Sequence, residues 1–342
     1  MKRQLLLLLL GLGLVGATPR SASAACTPTG FFRDAINMTA SLINPTGTVT
    51  GPVNATGCNI GVYFSNLNGK IQQAEIYGAN YFGVVVNGDA NIISVNVTDS
   101  FIHDIGETPL NGTQHGVAIY YRAFFLTGSA NGTISGNTLS NYQKGGIVVN
   151  GQGVNVTVTD NIVTGQGPVD FIAQNGIQVG FGAGASVMRN TVTGNAYTGT
   201  NNASSAGILV VGGPGFRTCP DGSDCPYTVG TRIVGNQATG NDVGVFLANF
   251  DASFKPPPSA TNIKVVNNTL SNLFVTNVSG CGSPNGYQAG VSDEGNNDKI
   301  VTNSISGFGY TDSIISDCTA TSTFSIDTTS TTRAKVHANK SD

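Results

Sequence analysis

The sequence predicts an all-β fold, a single solenoid of stacked parallel coils, and three observations carry that prediction. A unit reading aliphatic, two residues, Asn, one residue, aliphatic occurs as Ile134…Asn137…Leu139, Val158…Asn161…Val163 and Val187…Asn190…Val192. It returns as Ile233…Asn236…Ala238, Val265…Asn268…Leu270 and Ile300…Asn303…Ile305, with Ala74 and Ser100 filling the Asn slot of earlier copies. A second unit, Gly-aliphatic-any-aliphatic, alternates with the first at Gly83, Gly116, Gly146, Gly176, Gly207 and Gly244, and decays at Gly290. Third, charged residues make up only 10% of the chain, against about 25% in ordinary globular domains, and Gly, Asn, Thr and Ser fill the gap.

Each element follows from these units. Apolar residues two apart mark short strands, and the Gly, Asn and Asp between them mark turns. One coil cannot bury its own inward aliphatics, but coils stacked about 4.8 Å apart make continuous columns. The expected inward column is Val84, Val117, Ile147, Ile177, Ile208 and Val245. The recurring asparagines fit a turn in which each side chain bonds the next coil. The expected outward column, Val85, Ala118, Val148, Leu209 and Phe246 with Gln178 as its polar member, is apolar enough to require a covering loop, tail or partner.

At the N-terminus Lys2 and Arg3 precede the apolar run from Leu5 to Val15, and Ala22-Ser23-Ala24 supplies a small-residue cleavage site. Residues 1–24 are therefore expected to be a secretory signal peptide, too short in its apolar core to span a bilayer. Its loss would remove Lys2, Arg3 and Arg20 and take the formal charge from −3 to −6, which argues against nucleic acid and anionic lipid as partners. No later segment reads as a membrane span. The product is expected to be secreted and monomeric. All six cysteines lie in the exported part, and pairing of sequence neighbours predicts Cys26–Cys58, Cys219–Cys225 and Cys281–Cys318. None has a CxxC spacing, so no zinc site is expected. Residues 25–57 should form an N-terminal cap, with Phe31, Phe32, Ala35, Ile36 and Ile43 on a helical apolar face. The solenoid should span 58–310, and 311–342 should be a C-terminal cap and disordered tail.

The repeat, with stretches such as Gln143-Lys-Gly-Gly-Ile-Val-Val-Asn150, resembles the right-handed parallel β-helix proteins of the pectin-lyase-like superfamily, over roughly residues 58–310. The resemblance implies the right hand of the coil. It also implies a range of roles, from polysaccharide lyases, hydrolases and epimerases to proteins without activity, so function must be argued at a site.

Coil lengths are uneven, and the long insertions before the Gly units carry most of the chemistry-capable side chains. Aligning the Gly units places Phe82, His115, Gly145, Asn175 and Ala206 in one column, with a notch at Gly145 between His115 and Asn175. Lys144 would reach along that notch and Asp170 would face it. The candidate catalytic residues are accordingly His115, Lys144 and Asp170. The candidate substrate-binding residues are His103, Asp104, Glu107, Gln114, Tyr120, Arg122, Gln174, Asn175 and Gln178. A structural reading stands beside each: a histidine bonding a turn, solvated charges at Lys144 and Arg122, and turn-forming Asp104 and Asp170.

His115-Gly116 is also similar to the Gly-His-Gly motif of polygalacturonase-type hydrolases. Inverting hydrolysis needs paired carboxylates, and the positions matching that family's Asp-Asp pair hold Tyr81 and Phe82, so this chemistry is disfavoured. Lyase chemistry stays open: Lys144 or Arg122 with His115 and a tyrosine supplies the required roles, and Asp104, Glu107 and Asp170 are oxygen donors suited to Ca²⁺. The competing class is a non-catalytic protein that binds glycan or forms part of the cell surface. Convergence of His115, Lys144 and Asp170 in one pocket discriminates the two.

Overall fold

A computed structural model describes residues 25–201, 203–216, 218–277, 286–311, 313–315 and 321–341. The expected signal peptide and the Cys281–Cys318 pair lie outside the described residues. Each coil contributes three strands, as in Phe82–Asn87, Ile92–Thr98 and Phe101–Ile105, followed one coil later by Val117–Arg122, Ser129–Ser135 and Thr138–Tyr142. The first strand of each coil joins a 12-stranded sheet, and the other two join an 18-stranded sheet. Pairing between successive coils is parallel. The interior holds fully buried Val62, Val84, Ile119, Ile147, Ile177, Ile208 and Val245 in one column of the 12-stranded sheet.

That column differs from the expected one at a single coil. Val84 pairs with Ile119, not Val117, and Phe82 pairs with Val117. The cause is Gly116, which takes φ of 87° and turns the chain instead of entering the strand. Its N–H and that of Val117 both donate to the Tyr81 carbonyl, at 3.0 Å each, so the strand starts two residues later than the Gly alignment implies. The displaced register places Tyr121 in the interior, where its hydroxyl donates to the Val95 carbonyl at 2.7 Å. In the other coils the glycine is required by close approach. A Cβ at Gly146 would lie 2.6 Å from the Gly176 carbonyl oxygen, and one at Gly176 would lie 2.7 Å from that of Gly207.

The asparagine ladder forms as expected. The backbone N–H and the Nδ2 of Asn137 both donate to Asn161 Oδ1, at 3.0 and 2.9 Å, and Asn161 does the same to Asn190. The pattern continues through Asn236, Asn268 and Asn303. Each Nδ2 also donates to a strand carbonyl, for example Asn137 to Val97 at 2.8 Å, so these buried amides are satisfied across three coils. Ser100 fills the slot at the start of the ladder by donating its N–H to Asn137 Oδ1 and accepting from Ala74 N on its hydroxyl.

Both ends depart from expectation. The N-terminal segment is not helical: Thr27–Arg33 and Ile36–Ile43 form an antiparallel hairpin. Asp34 and Ala35 at its turn have φ of 50° and 62°, the conformation of a two-residue primed turn that matches strand twist. The alternation of buried Met38 and Ala40 with more exposed neighbours is a strand period, not a helical one. Ile36–Ile43 pairs in parallel with Ile60–Phe64, and Thr48–Asn54 pairs with Gly69–Tyr77, so the sheets begin well before residue 58. The expected disordered tail also joins them. Lys335–His337 pairs with Lys299–Val301, Lys340–Ser341 pairs with Ser304–Ser306, and Asn339 tops the ladder by accepting from Asn303.

The hairpin covers the outward apolar column. Phe31 stacks on Tyr63 at 6.1 Å and meets Phe82 at 6.3 Å, in a buried cluster that includes Val85, Tyr120 and Val148. Tyr120, not Ala118, is the outward member of its coil, in register with Val85 and Val148. Farther along, Leu209 packs against Phe124, Phe181, Val211 and the Cys219–Cys225 loop. The disulfides Cys26–Cys58 and Cys219–Cys225 are both present. Cys26–Cys58 ties the hairpin to the stack across a separation of 32 residues. Replacing both Cys26 and Cys58 with alanine should cost about 3–4 kcal/mol in chemical denaturation through restored unfolded-chain entropy. An unchanged midpoint would show that the hairpin docks without its tether.

Candidate functional site

Two features of the wall make a groove on the outer face of the 12-stranded sheet. The Phe31 hairpin ends at Arg33, whose Nη2 donates to the Gln114 carbonyl at 3.1 Å. Beside that contact lies a pocket of about 190 Å³, its apolar lining of Phe82, Val117, Tyr120, Val148 and Phe181 largely buried. Its polar lining is Arg33, Gln114, Lys144, Asn150 and Gln178, with no carboxylate among them. Tyr120 and Phe82 stack at 5.2 Å, and Gln178 Nε2 donates to Asn150 Oδ1 at 3.1 Å, so both edges of the groove are held in place.

Lys144 is the chemically unusual member. Its Nζ donates to the Ala173 carbonyl at 2.6 Å, and it forms no ion pair among the described residues. Burial pushes its ammonium down to about 8 from an ordinary 10.5.

The other candidates divide among several places. His115 is not in the column with Asn175, because the register shift at Gly116 gives that position to Val117, which pairs with Gly145. The buried His115 ring stacks on Tyr81 at 3.7 Å, and its Nε2 lies 2.6 Å from Glu107 Oε1 and 3.2 Å from Thr113 Oγ1. Asp170 is exposed on a separate loop. Of His115, Lys144 and Asp170, only Lys144 lines the groove. Gln174 is a brace: fully buried, it donates to the Tyr142 and Gln143 carbonyls and accepts from Gln166 N. Asn175 is also buried, its Oδ1 accepting from Ala206 N. Arg122 is locked 2.6 Å from Asp89, its guanidinium 4.8 Å over the Phe31 ring.

His103 and Asp104 sit on the other sheet. His103 lies between Tyr77 and Phe101, with Nδ1 2.7 Å from Asp104 Oδ2 and Nε2 3.2 Å from Glu75 Oε1. Partial burial works against the Asp104 charge, but the hydrogen bonds from Asn141 and His103 hold its carboxyl below the ordinary range. Asp104 and Glu107 line a second pocket of about 320 Å³, yet each carboxylate is engaged by a histidine. Among the described residues no group of three or more His, Cys, Asp and Glu is placed to hold a metal ion.

Of the twelve candidates, Gln114, Tyr120, Lys144 and Gln178 meet in the groove. Arg33, Phe82, Asn150 and Phe181 join them without having been singled out. Asn150 ends its strand and Phe181 follows the strand of the next coil, a signal present in the repeat. Arg33 arrives from a hairpin 81 residues distant from its partner Gln114, which no local pattern announces.

A stack of parallel coils with a lateral groove on one sheet defines the class as a β-helix protein. Residues 43–218, just over half of the chain, match the family described as "Right handed beta helix region", and the chain belongs to that family. No curated protein sequence matches the chain. Among solved structures, the chain is similar to a complex of XylC with xylose at 13% identity and TM-score 0.41, covering 74% of this chain and 36% of that one. It spans only about a third of that structure's length. It is also similar to a double mutant of the periplasmic alginate epimerase AlgG at 10% identity and TM-score 0.33, covering 88% of this chain and 74% of that one. Among the described residues no helix is long and apolar enough to cross a membrane.

Proposed function

We propose that the protein is exported and that its lateral groove binds an acidic polysaccharide, in a site complete within one chain. The observation that carries this reading is a half-buried amine, Lys144, beside an aromatic and aliphatic lining and a second cation, Arg33, with no carboxylate among the groove's lining residues. Tyr120, Phe82 and Val148 suit the C–H face of a sugar ring, the amides of Gln114, Gln178 and Asn150 suit its hydroxyls, and the cations suit a uronate carboxylate. The two disulfides fit an oxidising compartment outside the cytosol. The lack of a carboxylate pair in the groove speaks against inverting hydrolysis. The absence of His115 and Asp170 from the groove's lining favours binding over a multi-residue catalytic apparatus.

A second reading, β-elimination, rests on Lys144. An amine that titrates near pH 8 can take the C5 proton of a uronate as the C4–O bond breaks and a C4–C5 double bond forms, with the departing oxygen taking a proton from Tyr120 or water and Arg33 offsetting the carboxylate charge. Purified protein given polygalacturonate or alginate from pH 6 to 10 should bind it. If the groove is catalytic, absorbance from unsaturated uronate should rise as pH passes 8 and vanish in Lys144→Gln. Binding without unsaturated product leaves the binding reading alone. Binding that Lys144→Gln does not weaken by about tenfold removes the groove as the site.

A further inference from the structure

The 18-stranded sheet carries a row of cations that the lateral groove does not use. Arg232 pairs in register with Lys264, Lys264 with Lys299, and Lys299 with Lys335, so one basic side chain stands at the same position in four successive coils. All four are exposed. With coils about 4.8 Å apart, the charges form a straight line along the solenoid axis. None of them makes an ion pair among the described residues, whereas nearby Arg189 pairs with Asp160 at 2.8 Å. The row continues upstream as hydroxyls, through Thr157 and Ser186. Two residues along each strand a parallel row of Val234, Val266 and Val301 presents half-buried to buried aliphatics.

Like charges in direct register repel one another, and none of the chain's 19 acidic residues is interleaved in this row. A ligand with regularly spaced negative charges would relieve that repulsion. We propose that this face binds a linear polycarboxylate glycan lying along the solenoid axis, its uronate carboxylates on Arg232, Lys264, Lys299 and Lys335 and the C–H faces of its rings against the valine row. Nucleic acid fits less well, because the row and its valine neighbours offer no aromatic platform for bases. The site is on a different sheet from the groove and does not depend on it.

The test measures binding of the full chain to polygalacturonate or alginate at low and high salt, with a neutral glucan and duplex DNA as comparators. With the groove disabled by Lys144→Gln, adding Lys264→Gln/Lys299→Gln should weaken the remaining polyuronate binding at least about tenfold. Lys264→Arg/Lys299→Arg should retain it, and added salt should weaken it as exposed charges are screened. The groove variant Lys144→Gln should keep the part of the affinity that the added double substitution removes, which separates failure of this site from failure of the groove. Because all four side chains are exposed, thermal unfolding of the variants should match the parent. Unchanged affinity when the double substitution is added, absence of polyuronate binding, or equal affinity for duplex DNA would each overturn the proposal.

Discussion

Asn236→Ala should destabilise the protein by roughly 3–5 kcal/mol in urea unfolding, a large part of the 5–15 kcal/mol typical of folded domains. Asn236 Oδ1 accepts from the backbone N–H and the Nδ2 of Asn190, at 2.9 and 3.0 Å. Its own Nδ2 donates to Val187 O and Asn268 Oδ1, both at 3.0 Å. Alanine therefore deletes four hydrogen bonds and leaves polar groups on the two flanking coils short of partners in a buried region. Asn236→Ser should cost less, since Ser100 already occupies the same slot with one donor and one acceptor engaged. Asn339→Ala, at the half-exposed end of the ladder, should cost only about 1 kcal/mol. Equal small losses at positions 236 and 339 would mean that the ladder decorates the stack without holding it.

The second large effect concerns pH. At the last coil Asp293 takes the inward position that Leu247 holds one coil earlier. It accepts from Gly295 N at 2.9 Å and Thr331 Oγ1 at 3.1 Å. Asp298, also buried, accepts from Thr261 Oγ1 at 2.7 Å and Ile263 N at 2.6 Å on one oxygen, while its other oxygen is buried without a hydrogen-bond partner and feels the charge of neighbouring Asp293. Burial, then the Asp293 charge, pushes the Asp298 carboxyl up to about 8 from an ordinary 3.8, and burial raises Asp293 as well. A folded pKa above the unfolded one means that the native state holds the proton more tightly. This contribution to stability is complete below pH 4 and is lost as pH rises through about 8.

Asp298→Asn keeps an acceptor for Thr261 and Ile263, puts a neutral amide beside Asp293 and removes the titration. It should stabilise the protein at pH 8 by roughly 3 kcal/mol and flatten the fall in Tm between pH 5 and 8. A residual slope should remain from Asp242, which burial raises to about 7. Parallel Tm profiles for the variant and its parent would refute this account.

How much of this was legible depends on how local each cause is. The Asn slot and the inward aliphatics sit within six residues of each other in every coil, so their period shows through the insertions. The slide at Gly116 was hidden, because a glycine that turns the chain and a glycine that admits a close carbonyl are the same letter. Its effect on the site was large: His115 moved from the notch to a pocket with Glu107 and Tyr81. The N-terminal hairpin was read as a helix because Asp34-Ala35 lacks the glycine that usually marks a primed turn. Gln174 looked like a ligand contact because a polar residue beside a strand gives no sign of being fully buried.

Repeat spacing, composition and cysteine order were enough for the architecture, since each reflects contacts between equivalent positions in neighbouring coils. They were enough for two disulfides and the asparagine ladder for the same reason. The groove and the basic row were decided only in three dimensions. Arg33 reaches Gln114 across 81 residues, and Arg232, Lys264, Lys299 and Lys335 line up only after unequal insertions are looped out. A solenoid wall is specified by what repeats. Its binding surfaces are made by what the folded coils bring into register, and strand pairing alone settles that.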